Sequence, residues 1–388
     1  MKQNELKKEA LEYHKRKRGK IGIAVKTPIT SKNDLRLAYT PGVAFASEAI
    51  ANNKKLDRVL TNKGNSVAII TDGTAVLGLG DIGPEAAIPV MEGKAAIFKS
   101  FAGIDAYPVV LAEKDPKKII EIVQALAPNF AGINLEDISA PRCFGIEREL
   151  RKRLDIPVFH DDQHGAAVIV LAALMNALLL AEKKAEDVNL VVNGAGAAGI
   201  ATIHLLLKYG VGHITAVDKQ GILYPGAPGM HPYQAEVARL TKAKRRGGLA
   251  EAIKGADVFI GFSVGNVLTK PMVASMAEKA IVFAAANPTP EIDPRDAKEA
   301  GAYIVATGRS DYPNQINNAY VFPGLFKGLL EAGASEINDE SLICAATCLS
   351  GLVKKPTPSN IVPSLFDKRV VETVAFSIQN SGVCVCKY

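Results

Sequence analysis

The sequence predicts an α/β protein of two domains. An N-terminal α/β domain with a mostly parallel sheet is expected over residues 1–162. A C-terminal Rossmann-type, doubly wound domain with trailing helices is expected over residues 163–388. Three observations carry this. Short apolar runs alternate with longer helical stretches along most of the chain. A G-x-G-x-x-G, formed by Gly194, Gly196 and Gly199, joins one such run to a helix. The length of 388 residues accommodates two ordinary domains, each with its own core.

Composition narrows the class. The chain is 48% apolar and 22% charged, as globular proteins are. Aromatics make up 6% and Trp is absent, so the stacking platforms that nucleic acid needs are not expected. A net charge of +6 is small for a polyanion binder but favours a small anionic substrate. Five cysteines, an odd number without a C-x-x-C pair, point to reduced intracellular thiols rather than to a disulfide framework or zinc knuckle. The start, "MKQNELKKEALEYHKRKRGK", lacks the apolar stretch of a secretory signal. Its Glu5, Glu9 and Glu12 are foreign to a transit peptide, so the cytoplasm is the expected compartment. The basic run before Gly19 reads as a solvated helix end. The longest apolar run, residues 166–181, holds Asn176 and falls short of the ~20 residues a span requires. A buried helix is expected there, and no membrane segment.

The elements follow in order. A helix is predicted over about 4–18, then irregular chain containing "TPITSKNDL" and "AYTPGV", then a helix near 43–53. Strands are expected at 66–71 and 75–79, followed by a helix opened by Pro84. Strand 107–112 precedes a helix with Asp115 as N-cap and Pro116 at its first position. Strand 132–137, helix "FGIERELRKRL" and strand 157–161 complete the first half. The long apolar helix then leads to strand "NLVVNG", a glycine turn, helix "AAGIATIHLLLKYG" and strand "HITAVD". Strands "DVFIGFS", "AIVFAAAN" and "AYIVAT" come next, and the last 60 residues read as helices.

Two stretches have the dinucleotide spacing. In "VVNGAGAAGIA" an apolar strand enters the loop Gly194-Ala195-Gly196-Ala197-Ala198-Gly199. A proline-free helix leaves it, and Asp218 lies 19 residues after Gly199 at the end of the next strand. Gly194 permits the turn, Gly196 the approach of a pyrophosphate, Gly199 the packing of helix on strand; Asp218 would bind the ribose hydroxyls. Asp218 favours NAD over NADP, because a carboxylate repels a 2′-phosphate, although the adjacent Lys219 softens the preference. In "AVLGLGDIG" the same spacing recurs as Gly78, Gly80 and Gly83. There Asp81 would oppose a phosphate, and Pro84 and Pro89 should disturb the helix that follows. These glycines are expected to mark a tight connection, leaving one dinucleotide site.

Acidic residues cluster at two predicted strand ends: Glu136 and Asp137 in "NLEDISAP", Asp161 and Asp162 in "FHDDQHG". Carboxyl ends of parallel strands are where ligands sit. Converging carboxylates without nearby Cys suit Mg²⁺ or Mn²⁺. N-capping by Asp161 or Asp162 is the other reading, and spacing alone does not choose. His160 and His164 imitate a zinc helix, but His160 ends a strand and is read as structural. Lys94, in "PVMEGKAAIFK", is either a snorkelling lysine or a buried one whose pKa burial would lower toward that of a general base. Tyr39, before Thr-Pro-Gly, is either a packing aromatic or an acid held on a rigid turn.

Taken together, "LAYTPGVA", "TDGTAVLGLGDIGPEAAIPVMEGKAAIFKSFAGIDAYP", "GINLEDISAPRCFGIE", "IPVFHDDQHGAAVIVLAAL", "VVNGAGAAGIA", "FAAANPTPEI" and "VATGRSDYPNQINNAYVFPG" resemble malic enzyme, in the short form of bacteria and some protists. The resemblance spans nearly the whole chain; the end, "GVCVCKY", carries no motif of it. It implies oxidative decarboxylation of L-malate to pyruvate and CO₂ with reduction of NAD or NADP. Glu136, Asp137 and Asp162 would be the ligands of Mg²⁺ or Mn²⁺, with Asp161 behind them. Lys94 would be the general base and Tyr39 the general acid. Asn287, Asn317 and Asn318 would contact substrate carboxylates, with Asn287 also beside the cofactor. A homodimer sharing its active-site region is implied. One departure stands out: the long animal and plant forms carry an arginine where this chain has Ala75 in "TAVLGLGD". Arg36 lies outside any matching motif. The second malate carboxylate would then fall to Asn side chains, backbone N–H groups or another residue. A malolactic-type enzyme, a metal-independent amino-acid dehydrogenase and a dinucleotide sensor are the rival readings. The intact Lys, Tyr and acidic set argues against the last two.

Overall fold

The computed structural model describes residues 3–76 and 78–380. Strands β1 (Ser66–Thr71), β2 (Asp105–Val110), β3 (Gly132–Leu135) and β4 (Val158–His160) form a parallel sheet in the order β2-β1-β3-β4. Strands β5 (Asn189–Asn193), β6 (His213–Asp218), β7 (Gly221–Ile222), β8 (Val258–Gly261), β9 (Ile281–Ala284) and β10 (Ile304–Thr307) form the second sheet, ordered β10-β9-β8-β5-β6-β7. All its pairings are parallel except β6 with β7, a short edge hairpin. Chain order reverses beside β5, the place where an open α/β sheet leaves a crevice at its carboxyl edge.

Both faces of the second sheet are covered. Leu190, Val192, Ile260 and Phe283 join one apolar cluster, and Val191, Phe259, Val282 and Val305 another, as the period of two in a strand requires. The first of these clusters runs without a break into the other sheet through Val67, Ile69, Ile133 and Phe159. The helix Asp161–Ala181 joins the two halves. It is long and apolar enough to cross a membrane by composition, yet 78% of its most apolar window is buried inside the protein. Its Asn176 donates to the carbonyls of Ser350 (3.0 Å) and Ile361 (2.9 Å), which meets the polar demand of a buried amide.

Several expectations are corrected. Ala75, Val76, Gly78 and Leu79 form no strand. The chain turns back on itself at Gly78, Gly80 and Gly83, with φ of +72°, +77° and +82°, and a single bridge joins Val76 to Gly80. Pro84 and Pro89 do not disturb the following helix, which runs unbroken from Pro84 to Ile97; Pro84 stands at its first position, where no N–H is missed. The apolar helix begins at Asp161, five residues before the apolar run that predicts it. Helix Lys32–Ala38 was not expected, although Ser31 and Asp34 form a reciprocal capping box. Asp115 does cap its helix, accepting from Lys117 N at 2.9 Å. Cys143 is free and buried, whereas Cys348 is disulfide-bonded, against the reduced-thiol expectation. Cys384 and Cys386 lie outside the described residues.

Of the C-terminal helices, Phe322–Ala332 crosses back to the first sheet. Phe322 stacks on Phe98 at 4.7 Å, and Phe326 meets Phe98 at 5.5 Å and Phe159 at 6.1 Å.

Candidate active site

Register builds the acidic cluster. Leu135 of β3 pairs with His160 of β4, so the residues that leave these parallel strands, Glu136 and Asp161, emerge side by side. Asp137 and Asp162 follow at once. Asp137 has a left-handed φ of +52°, and its N–H donates to Asp162 Oδ2 at 2.8 Å. Carboxylate oxygens of Glu136, Asp137 and Asp162 all lie within 4.8 Å of one another. Asn134 Nδ2 donates to Glu136 Oε2 at 3.0 Å.

Lys94 projects into this cluster from the Pro84–Ile97 helix. It is 8% exposed, forms an ion pair with Glu136 at 2.5 Å and another with Asp161. The Phe322 ring lies 4.5 Å from its Nζ. Burial alone lowers a lysine pKa, but Asp161 and Glu136 outweigh it, so the Lys94 ammonium is held above its ordinary value. That reverses the expectation of a lysine depressed by burial. Burial, joined by the charges of Asp162, Asp161 and Asp137, pushes the Glu136 carboxyl well up against the pull of Lys94. Burial likewise raises Asp161 despite Lys94.

Four carboxylates thus face one ammonium in a buried place, and Asp161 Oδ1 is buried without a hydrogen-bond partner among the described residues. Both features fit a hard divalent cation held by Glu136, Asp137 and Asp162, with all-oxygen donors.

The other candidates fall at different removes. Asn318 comes close: a Cβ on Gly165 would stand 2.0 Å from Asp161 Oδ1 and 3.0 Å from Asn318 Cβ. Gly165 therefore leaves the space that these two side chains fill. The Asn317 side-chain oxygen caps a short turn by accepting from Ala319 N at 2.8 Å. Asn287 is exposed on the loop after β9 and abuts the first glycine loop: a Cβ on Gly78 would meet its carbonyl at 2.2 Å. Tyr39 is exposed, at the end of the Lys32–Ala38 helix, and no hydrogen bond joins it to the acidic cluster among the described residues. His160 is wholly buried with Nε2 3.6 Å from Asp162, while His164 pairs with Glu147 at 2.8 Å; the two histidines serve different neighbours.

The second glycine loop is open. Gly194 has φ of +108°, and a Cβ there would strike the Phe262 carbonyl at 2.5 Å. A Cβ on Gly199 would strike the Gly194 carbonyl at 1.8 Å, whereas one on Gly196 meets nothing within 4 Å. Ala195 is buried beneath the loop, and Ala197, Ala198 and Gly199 begin the helix Ala197–Tyr209, whose free N–H groups face the space above Gly196. Asp218 ends β6 and accepts from Gln234 Nε2.

Sequence reasoning missed three supports. Gln234 holds Asp218. Phe322 covers Lys94. Glu147 accepts from the backbone N–H of His160 (3.3 Å) and from Gln163 Nε2 (2.9 Å), besides its bond to His164. Burial raises the Glu147 carboxyl, but His164 and then His160 outweigh it and hold it below its ordinary value. Its signal was readable: Cys143, Ile146, Glu147 and Leu150 form one helical stripe, and an acid inside an apolar stripe demands partners.

A dinucleotide-type glycine loop at one sheet and a buried lysine–carboxylate cluster at the other define the class as a dinucleotide-dependent oxidoreductase. Comparison with known proteins narrows the class. Residues 18–151 match the malic enzyme N-terminal domain and residues 163–383 the malic enzyme NAD binding domain. A bifunctional malic/malolactic enzyme of Bacillus subtilis is 52% identical, over 97% of this chain and 93% of that one. An NAD-dependent malic enzyme of Geobacillus stearothermophilus is 53% identical over 92% and 75%. The crystal structure of an NAD-dependent malic enzyme from Thermotoga maritima matches with a TM-score of 0.93 at 48% identity, covering 96% of this chain and 99% of that one. The chain belongs to the malic enzyme family, NAD- or NADP-dependent oxidoreductases.

Proposed function

We propose that this protein oxidatively decarboxylates L-malate to pyruvate and CO₂ with reduction of NAD(P)⁺, dependent on Mg²⁺ or Mn²⁺ held by Glu136, Asp137 and Asp162. The observation that carries the reading is Lys94, buried against Asp161 and Glu136 at the edge of the three-carboxylate cluster. When bound, the nicotinamide accepts hydride and the divalent cation acts as a Lewis acid.

The protein's own groups do the rest. Lys94 takes the malate hydroxyl proton as hydride leaves C2. Once Glu136 is engaged as a ligand, less negative charge remains to hold Lys94 protonated. The C3–C4 bond then breaks, its electrons pass to the C2 oxygen, and CO₂ departs. Tyr39 protonates C3. A lysine among carboxylates and a tyrosine on a separate turn supply the base and acid with the differing environments that these two roles need. Asn318, Asn317 and Asn287 orient the carboxylates. Asp218 selects the ribose hydroxyls of NAD over a 2′-phosphate, with Lys219 beside it moderating the preference. Dimerisation is supported by the first sixty residues, where Ile23, Val25, Leu37, Tyr39, Phe45 and Val59 are exposed; a second copy would cover them and complete the site around Tyr39. Light scattering after gel filtration should return the mass of a dimer, and a monomer at working concentration would remove that part of the reading.

The test is absorbance at 340 nm with L-malate, Mn²⁺ and either NAD⁺ or NADP⁺, with an EDTA control and a pyruvate assay. A metal-dependent rise with equal pyruvate is expected. The name of the Bacillus relative favours a second reading: malate consumed, lactate formed and no rise. Lys94→Ala should lower turnover by about 10²–10⁴-fold, the usual worth of a general base, while NAD still binds by fluorescence titration. Retained turnover would take Lys94 out of the chemistry.

A further inference from the structure

Glu147 lies on the Arg142–Arg153 helix and is 5% exposed. Its two oxygens reach three residues of the segment His160–His164: the backbone N–H of His160, the Gln163 amide and the His164 ring. Asp161 and Asp162 stand between those anchors. This is the point where β4 becomes a helix, and the two carboxylates leave it in adjacent directions, Asp161 toward Lys94 and Asp162 toward the Asp137 N–H. A strand-to-helix turn has several rotations open to it, and its first N–H groups have no intrahelical partner. One buried carboxylate gripping both ends of the turn removes that freedom. His160 lies next to the same carboxylate: its N–H is held by Glu147, and its ring packs 3.6 Å from Asp162 without a hydrogen bond.

We propose that Glu147 is a positioning residue for the metal ligand Asp162 and for the Lys94 partner Asp161, acting by clamping the turn that carries both. Glu147 touches neither substrate nor cofactor. The inference rests on the metal reading above, taken one residue layer outward, where partners of ligands commonly govern affinity by ten- to a hundredfold.

The experiment is Mn²⁺ titration of the cofactor-free full chain by calorimetry, with wild type, Asp162→Ala, Glu147→Ala and Glu147→Gln side by side. Far-UV circular dichroism and Tm monitor the fold, and NAD titration monitors the other domain. Glu147→Ala is expected to weaken Mn²⁺ binding roughly 10–100-fold, with NAD affinity unchanged. Glu147→Gln keeps the shape but sets an NH₂ against the donors, and should lose less. If Glu147→Ala fails to fold, Glu147→Gln carries the test. A folded Glu147 variant that binds Mn²⁺ as wild type does, while Asp162→Ala loses it, overturns the role of Glu147 and leaves the metal site standing. Wild type that binds no Mn²⁺ overturns both.

Discussion

Two loops share one glycine spacing and differ in which glycine is packed: in Gly194, Gly196 and Gly199 the outer two are tight and the central one is clear, whereas in Gly78, Gly80 and Gly83 only Gly78 is tight and the other two meet nothing nearer than 3.9 Å. In the second loop the glycines that would clash, Gly194 and Gly199, meet the loop's own strand and turn, and the central Gly196 faces nothing within 4 Å. In the first loop Gly78 meets the Asn287 carbonyl of the other half of the molecule, and Ala75 N–H donates to the Asp137 carbonyl at 2.9 Å. Arg142 ties the same loop down, donating to Asp72 (2.9 Å), Thr74 (2.7 Å) and Ser139 (3.0 Å). The second loop packs against its own strand and heads a helix, with its central glycine clear. The first is packed at Gly78 against the other half of the molecule, and its segment touches both an acidic cluster residue and a candidate substrate residue. The lesson is that three glycines at a given spacing do not by themselves mark a ligand site; the surroundings of each one say whether it is there for packing, for a turn or for open space.

The largest effect on this contrast should come from Gly199→Ala. Its new methyl stands 1.8 Å from the Gly194 carbonyl, so the loop must move and NAD binding should weaken at least ~10-fold, a cost of about 1.4 kcal/mol or more. Unchanged NAD affinity would show that the second loop is not the cofactor cradle. Gly78→Ala should come next. A left-handed φ of +72° and the 2.2 Å approach of Asn287 both resist a side chain. Here the expected signature is the converse, a several-fold higher KM for malate with NAD affinity held. Should NAD binding fall as well, the two loops would not be functionally separate.

The smallest effect probes the seam behind the loops. His204, on the helix that follows Gly199, faces a cavity of about 450 Å³ together with His164, Arg148, Glu236 and Asp339. Burial lowers its pKa below the ordinary 6.5, against the pull of Glu236 and Asp339 and with help from His164 and Arg148. A histidine depressed in the fold gives stability that is whole above 6.5 and drains away as pH falls through the lower, folded value. Tm should therefore drop between pH 7.5 and 5, and His204→Gln should drop less, by about 2 °C. Parallel curves for the two proteins would remove His204 from the acid sensitivity.

Much of this was legible in the sequence. The second loop was readable because its strand, helix and Asp218 fall in local order, and short-range order is what periodicity records. The acidic pairs were readable as strand ends. Their convergence needed the β3–β4 register, which no local pattern states. The strand expected at 75–79 was a misreading because the apolar run "AVLGL" outweighed Gly78 and, just beyond it, Gly80 and Gly83, all in the left-handed region. Lys94 was found, but the sign of its pKa shift depends on Asp161 and Glu136, 67 and 42 residues away, so burial alone gave the wrong direction. Phe322 and Glu147 act across long separations and left only faint local marks.

The return of the Phe322–Ala332 helix to the first sheet has a consequence for how the protein comes into being. Phe98 and Phe159, made early, wait for Phe322 and Phe326 to cover them. At a synthesis rate of about 5–20 residues per second, that wait lasts on the order of ten seconds or more. During it the nascent first half shows an aromatic surface to solvent, and Lys94 stands without the Phe322 ring over it. A gene fragment ending near residue 162 would keep that surface exposed for good, and such a fragment should be recovered as aggregate rather than as a soluble half-enzyme.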